Sequence, residues 1–570
     1  MGDELAQLRI LTRHFFERLF RNDLVDFEDQ MKARLAAVLA VLAALMGWSS
    51  YLLVFYRYEL SPDAGTSWQE KNYVFILMMI IFGIVTLLEW EMLFPDRRDF
   101  INLTPLPVRL RTVFAAKLAS FIAFIGLFSV ALSSLSSVAF ALFLAQWRSD
   151  SLAFLARHIL AHLVSAFAAC FCVFFACVFI NFFLLAVLPP SLYRRISLLV
   201  RFVLIALFAF LLLSFLTEPG SVSGAIRSLA RLKDHGSPLV LRLPSMWFVG
   251  LYEVLLGTRD PVFAAGARTA GLAFGLSFGA FGLACGLSYF RQFRRTLEAA
   301  KSMPRLRRLR QDVAGALKKA VLRNPEELAV GEFFSKTIRS SLKHRIMLVN
   351  GLAVGAALAT LSIVAERRGI QALTPGNAFF LSQSHLLVFI LLAGLRLVVD
   401  VPAAIESNWV FRLTESAERR RYVTGLKKTI LFQWFLPLSI LLFGAHLWLW
   451  RDGRAALLHA AFCLALAGLG IEVSFYRFRK IPFAGAYVPG RLRLQTRVAP
   501  YLAGLLALLA ALSALEKRLL ADPSYFWIFL PIAAALWAVL SIASARYLKD
   551  NPLIYDDKPE PAMIGFPEDV

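Results

Sequence analysis

The residues able to do chemistry in this 570-residue chain are few and widely spaced. A phosphate cradle needs Gly-x-x-x-x-Gly-Lys-Ser/Thr, so that successive backbone N–H groups point at one anion, and no glycine here leads into such a Lys-Ser/Thr. His158 and His162 stand at i, i+4, a spacing that can bring two imidazoles to one metal, but no Glu accompanies them as in His-Glu-x-x-His, so packing near a span end is the simpler reading. His385 and His446 occur singly and read as hydrogen-bonded to a neighbouring helix. Cys170-x-Cys172 lacks the further Cys or His of a zinc site; with Cys177, Cys285 and Cys463 it lies in apolar runs, where thiols behave as small buried hydrophobes and no disulfide is expected.

The remaining ionisable groups fall at the edges of apolar segments. Glu89, Glu91, Arg396, Asp400 and Glu472 lie toward the ends of their runs, where long side chains snorkel and pair across helices. A proton- or sodium-coupled carrier is expected to hold a carboxylate or cation deeper, which speaks against that class. The segment from Tyr476 to Phe483, followed by Tyr487-Val488-Pro489-Gly490-Arg491, is aromatic and basic but carries no carboxylate or nucleophile. It therefore reads as an elbow between spans that touches anionic headgroups, not as the site of a lipid-modifying enzyme.

The elements that must position these residues are membrane helices. Fifty-eight per cent of the chain is apolar and only 18% charged, with 61 Lys+Arg against 39 Asp+Glu, a net charge of +22. That balance excludes a soluble globular enzyme, a disordered chain, a disulfide scaffold and a nucleic-acid reader, and leaves no nucleic-acid partner to expect. Windows of about twenty apolar residues give twelve spans, at 34–56, 73–94, 113–146, 155–188, 196–216, 262–290, 346–365, 378–400, 429–450, 455–476, 498–515 and 525–545. The chain has 50 phenylalanines; its Phe-rich spans would suit an amphipathic or lipid-like cargo, but are read first as Phe facing lipid. The first thirty residues mix charged and apolar types, so the first span is the expected insertion signal.

Lys and Arg in alternate loops set the orientation. The N-terminal stretch, the loop after the second span (Arg97, Arg98, Arg109, Arg111, Lys117), the loop with Arg194 and Arg195, and the centre with Arg305-Leu306-Arg307-Arg308-Leu309-Arg310 are the basic ones, which predicts cytoplasmic N- and C-termini. The loop 217–260 then lies outside. Ile226, Leu229 and Leu232, and later Trp247, Phe248, Leu251 and Leu255, predict two short amphipathic helices on the outer interface, joined by an extended Leu239-x-Leu241-x-Leu243 connection.

Two segments recur in the two halves. Phe15-Phe16-Glu17-Arg18-Leu19-Phe20-Arg21 matches Phe333-Phe334-Ser335-Lys336-Thr337-Ile338-Arg339 at an offset of 318, each in an amphipathic helix, the second opened by Asn324-Pro325-Glu326-Glu327 with Asn as N-cap. Leu103-Thr104-Pro105-Leu106-Pro107-Val108-Arg109-Leu110-Arg111, running to Val113 and Lys117, matches Leu413-Thr414-Glu415-Ser416-Ala417-Glu418-Arg419-Arg420-Arg421, running to Val423 and Lys427, at an offset of 310. In both, the Thr is placed to cap a short basic helix. The organisation read from this is a cytoplasmic amphipathic helix at 1–33, a first six-span half at 34–290 with its recurring segment at 95–117, a basic linker with a second amphipathic helix at 291–345, a second six-span half at 346–545 with its segment at 401–428, and a tail at 546–570.

This arrangement resembles the permease subunits of ABC-2 type exporters. The likeness rests on Phe94-Pro95-Asp96-Arg97-Arg98-Asp99-Phe100 leading into Leu103-Thr104-Pro105-Leu106-Pro107-Val108 and Ala115-Ala116-Lys117, and covers the chain as two fused copies. The second copy departs from it: only Glu516 to Ser524 separate its last two spans, and its segment lacks the two prolines. The resemblance implies an all-α polytopic membrane protein of two parallel six-helix repeats in the bacterial inner membrane, with a translocation path between the halves. It implies no cofactor in this chain and ATP on a partner: an ABC ATPase subunit in two copies that grips the coupling segments through Asp99, Phe100, Leu103, Thr104, Pro105, Arg109 and Arg111 in one half. In the other half the matching residues are Trp409, Phe411, Leu413, Thr414, Glu418, Arg419 and Arg420. The lipid bilayer is the other partner. The rival reading is an ion-coupled carrier of six-plus-six layout, although Asp96-Arg97-Arg98-Asp99 is not the loop motif of major-facilitator carriers.

Overall fold

The structure is a computed structural model that describes residues 2–20, 67–90, 108–148, 151–217, 238–298, 321–365, 374–403, 407–485 apart from 417, and 494–555, with parts of 40–51 and 231–233. The predicted residues Asp99, Phe100, Leu103, Thr104 and Pro105, most of the first span and the Arg305–Arg310 run lie outside the described residues. Ten helices among the described residues are long and apolar enough to cross a bilayer, which makes the chain a multi-pass membrane protein. The eleventh predicted span is also helical, at Leu494–Ala521. The chain divides into two compact units, Met1–Ala300 and Lys301–Val570.

The first unit contains α1 (Gly2–Phe20), α2 (Trp68–Glu89), α3 (Leu110–Arg148), α4 (Leu152–Val187), α5 (Pro190–Thr217), α6 (Pro244–Leu255) and α7 (Pro261–Glu298). Ser151 starts α4 by accepting a hydrogen bond from the Phe154 N–H at 3.2 Å, which satisfies one of the four open donors of a helix start. Helix α4 is apolar on every side and packs against α2, α3, α5, α6 and α7, as such a helix must. Much of the Phe excess is spent here, in the interior: Phe75, Phe82, Phe121, Phe140, Phe174 and Phe182 are fully buried, and Phe175 meets Phe281 of α7 at 5.1 Å between ring centres. The expectation of mainly lipid-facing Phe is corrected on this point. Exposed along α7 are Leu272, Leu276, Leu283 and Leu287, together with Phe278.

The outer-loop expectation also changes. The Leu239–Leu243 stretch is not extended but forms a 3₁₀ turn, Pro238–Arg242, ahead of α6. Nor does α6 lie on the surface: Met246, Phe248, Val249 and Tyr252 are buried against α2, α4 and α7. It can approach because Gly250 meets Gly266 backbone to backbone, where a Cβ on Gly250 would stand 2.7 Å from the Phe263 carbonyl.

The second unit contains α8 (Pro325–Ser340), α9 (Leu342–Ala365), α10 (Ala378–Asp400), α11 (Asn408–Leu413), α12 (Arg420–Ile430), α13 (Leu436–Trp450), α14 (Gly453–Ser474), α15 (Leu494–Ala521) and α16 (Phe526–Asp550). Asn324 stands before α8 as expected, but its side chain donates to Glu327 Oε1 at 3.3 Å and does not cap a backbone N–H. Helices α12 and α13 run on through a wide π turn at Leu431–Phe435. Pro437, just beyond, has no N–H to return to Gln433 and its ring crowds that carbonyl, which accounts for the widened turn. Asp452 caps α14 through the Arg454 and Ala455 N–H groups at 2.9 and 3.1 Å.

Candidate functional site

The recurring segments meet inside each unit. In the first, α1 lies along α3: Phe15 is buried with Val113 and Ala116, the Lys117 ammonium sits 4.9 Å from the Phe15 ring centre, and Glu4 pairs with Arg109 at 2.6 Å across an exposed edge. In the second, α8 lies along α12: Phe334, Val330 and Ile338 share a core with Val423, Leu426 and Ile430. Val423, Leu426 and Lys427 occupy the positions 310 residues after Val113, Ala116 and Lys117. Ion pairs Lys428–Glu327 at 2.7 Å and Arg421–Glu326 at 3.4 Å edge the second contact. Glu326 is held below the ordinary carboxylate range, first by a backbone hydrogen bond at the helix start, against the opposing effect of burial, with Ser416 and Arg421 adding to it.

The recurring segment of the second unit is described from Ser407 onward, apart from residue 417. Trp409 and Leu413 on α11 are 64% and 76% exposed, whereas Phe411 is turned inward. Its ring lies 5.4 Å from Phe333 and 6.4 Å from Tyr422, so Phe411 is anchored inside the unit. Thr414 does not open the next helix. It closes α11, its hydroxyl donating back to the Val410 carbonyl at 2.8 Å, while Tyr422 Oη donates to the Thr414 carbonyl at 2.7 Å. The expected Thr cap fails because α12 begins only at Arg420, six residues further on. Arg419 is paired with Glu415 at 2.7 Å, and Glu418 pairs with Arg421 at 2.7 Å and Arg420 at 3.6 Å. Arg109 and Arg111 flank the start of α3 on the exposed side.

The elbow after α14 seats this segment. Phe475, Phe478, Ile481 and Phe483 are buried, with Phe483 stacked on Phe334 at 5.5 Å, and the Asn408 side chain donates to the Ala484 carbonyl at 2.7 Å. These buried side chains pack into the core and hold α11 in place, while Arg477 is exposed and Tyr487-Val488-Pro489-Gly490-Arg491 lies outside the described residues.

Charged groups deeper in the bundles were largely missed from sequence. In the first unit Lys71 pairs with Glu253 at 2.6 Å, both buried, and lies 4.3 Å from the Tyr252 ring centre. His162 is buried beside Ser136 at 3.0 Å, stacked on Phe140 and edge-on to Phe75 and Tyr252, while His158 Nδ1 meets the Phe154 carbonyl at 3.1 Å. In the second unit Lys427 reaches Glu472 at 2.6 Å and Ser544 Oγ at 3.1 Å, so Glu472 is clasped and does not snorkel. Beside this pair opens a cavity of about 330 Å3 lined by Arg420, Arg421, Lys428, Glu327, Trp537 and Ser544, among others.

The largest surprise is Glu516. The apolar window of the eleventh span ends at residue 515 and leaves Glu516 in the connection that follows, but α15 continues to Ala521 and carries it inside. Glu516, His385 and His459 are all completely buried, with His459 Nδ1 2.7 Å and His385 Nε2 2.9 Å from the two carboxylate oxygens. His385 thus meets a neighbouring helix, α15, as expected, while Glu516 is a buried carboxylate and not a loop residue. A signal was present: Leu509, Ser513 and Glu516 lie three and four residues apart, on one helical face. Among the described residues no group of three or more His, Cys, Asp or Glu side chains is arranged to hold a metal ion. Compared with protein-family models, with curated proteins and with solved structures, the chain matches none.

Proposed function

We propose that this chain is the permease subunit of an ATP-binding-cassette exporter in a bacterial inner membrane, with its termini in the cytoplasm. A separate ATPase, in two copies, supplies the ATP and the force. The observation that carries the reading is the pair of contacts, α1 on α3 and α8 on α12, in which Val423, Leu426 and Lys427 stand 310 residues after Val113, Ala116 and Lys117, while Phe334 takes the place of Phe15 at a separation of 319. A motor outside the membrane can move spans only if its handle is fixed to them. In the second unit that linkage is continuous: force on exposed Trp409 and Leu413 passes through Phe411 to Phe333 and Tyr422, and so into α8 and α12. A short helix with two apolar anchors and basic flanks suits docking in a groove.

The test is co-purification of the full-length chain from its own cells. Charge reversal at Arg109, Arg111, Arg419 and Arg420, and separately Trp409→Ala with Leu413→Ala, is expected to remove an ATP-hydrolysing partner. An unchanged partner set, or no such partner with the unaltered chain, defeats the proposal. One observation favours a second reading, an ion-coupled carrier: the buried carboxylate of Glu516 between two histidines. Transport by the lone chain in vesicles under a proton gradient would establish it in place of the first.

A further inference from the structure

The hydrogen-bonding around His385 allows its protons to be counted. Ser513 donates its single hydroxyl proton to the Leu509 carbonyl at 2.6 Å, so toward His385 Nδ1, 3.3 Å away, it can only accept. Nδ1 therefore carries a proton. Across the ring, Nε2 faces Glu516 Oε2 at 2.9 Å, a separation at which two lone pairs repel, so a further proton lies between them. The other carboxylate oxygen accepts from His459 Nδ1 at 2.7 Å, leaving His459 Nε2 to face the Cys463 sulfur at 3.8 Å. With that proton in place the cluster is neutral. Without it the cluster holds a net negative charge at zero solvent exposure, a costly state.

Neither His385 Nε2 nor Glu516 Oε2 makes a well-aligned hydrogen bond, to the other or to any third group. The contact is close but not locked. The other titratable groups that face it are His446 from α13, with its ring 4.3 Å from that of His459, and His459 and Cys463 from α14. His446 is engaged through Nδ1 with the Leu442 carbonyl at 2.8 Å, and α16 brings Phe526 and Phe529 to the neighbouring packing. The cluster lies about 7–10 Å in from the nearer ends of α10, α14 and α15, at a rise of about 1.5 Å per residue. On α14 it is thirteen residues, or about 20 Å, from the Lys427–Glu472 pair.

We propose that His385, Glu516 and His459 form a proton-binding site, with one exchangeable proton shared between His385 Nε2 and Glu516 Oε2. Internal transfer turns the imidazolium–carboxylate pair into neutral imidazole and carboxylic acid with no net change. Loss to solvent leaves the carboxylate bare, so release is tied to loosening of α10, α14 and α15 around it. This goes beyond the permease reading and holds whichever engine drives the protein.

The test uses the full chain with isotopically labelled histidine in lipid nanodiscs, read by solid-state NMR from about pH 5 to about pH 9, the range in which imidazoles ordinarily titrate. Expected is one ring, identified by its loss in His385→Asn, that is doubly protonated or shares its second proton at low pH and becomes singly protonated as the pH rises. In Glu516→Gln that ring should be neutral throughout. Ser513→Ala, a milder change, should move the midpoint to lower pH, because Nδ1–H loses its acceptor. A His385 ring that is singly protonated at every pH overturns the proposal. So does one that stays doubly protonated across the whole range, or a midpoint that Ser513→Ala leaves in place.

Discussion

Gly425 on α12 lies directly against Glu327 on α8: a Cβ at Gly425 would come within 2.6 Å of both the Cα and the carbonyl oxygen of Glu327. Only a residue without a side chain permits that approach, and the Lys428–Glu327 ion pair beside it depends on the same closeness. Gly425→Ala must therefore push α8 away from α12. The expected cost is about 1–3 kcal/mol, typical of overpacking, measured by thermal unfolding in detergent. A variant as stable as the unaltered chain would show that the two helices are not held together.

The Lys427–Glu472 pair is expected to behave as a buried ion pair. Lys427→Met or Glu472→Gln alone leaves a charge without its partner and should cost about 3–5 kcal/mol. Lys427→Met combined with Glu472→Leu should recover most of that loss, since two apolar side chains need no desolvation. A double-mutant cycle on unfolding midpoints checks this, and additive losses would contradict it.

Helix α6 should prove to be part of the core. Phe248 is completely buried and Leu255 is 38% exposed. Phe248→Ala is expected to destabilise the protein by about 3–5 kcal/mol, the usual range for a deleted core aromatic side chain. Leu255→Ala should stay within about 0.5 kcal/mol. Equal, small effects in a thermal-shift measurement would return α6 to the surface.

Acid should loosen the start of α7 at Asp260. Burial opposes ionisation of this carboxyl, but the Lys233 ammonium at 2.7 Å and backbone N–H groups of Val262 and Phe263 outweigh it and hold its pKa below the ordinary range. A depressed carboxylate pKa contributes stability above the unfolded value of about 3.9, and that contribution fades as the pH falls through the lower folded value. Hydrogen exchange at Val262 and Phe263 should accelerate in that acid window. In Asp260→Asn it should already be fast at neutral pH, with no acid step; an unaltered acid step in that variant would assign it to another group.

Lys117 and Lys427 show how far sequence reading reaches. Their equivalence was legible because an offset of 310 is a property of the string, and so were the amphipathic helices carrying Phe15 and Phe334, whose apolar spacing is local. What each lysine does was not legible: Lys117 lies over the Phe15 ring, Lys427 clasps Glu472. The same holds for Phe411: its place in the recurring segment is legible, its burial beside Phe333 and Tyr422 is not.

The sequence by itself determined that the chain crosses the membrane many times in helices, because a run of about twenty apolar residues can satisfy its backbone in lipid in no other way. It also determined where Lys and Arg gather and which segments recur. Tertiary structure alone decided that α6 enters the core, that Glu516 meets His385 and His459, and that α8 rests on Gly425. Helix formation is set by neighbours along the chain. A buried carboxylate finds its partners on helices more than fifty residues away, and only the packing of those helices fixes which side chains face one another.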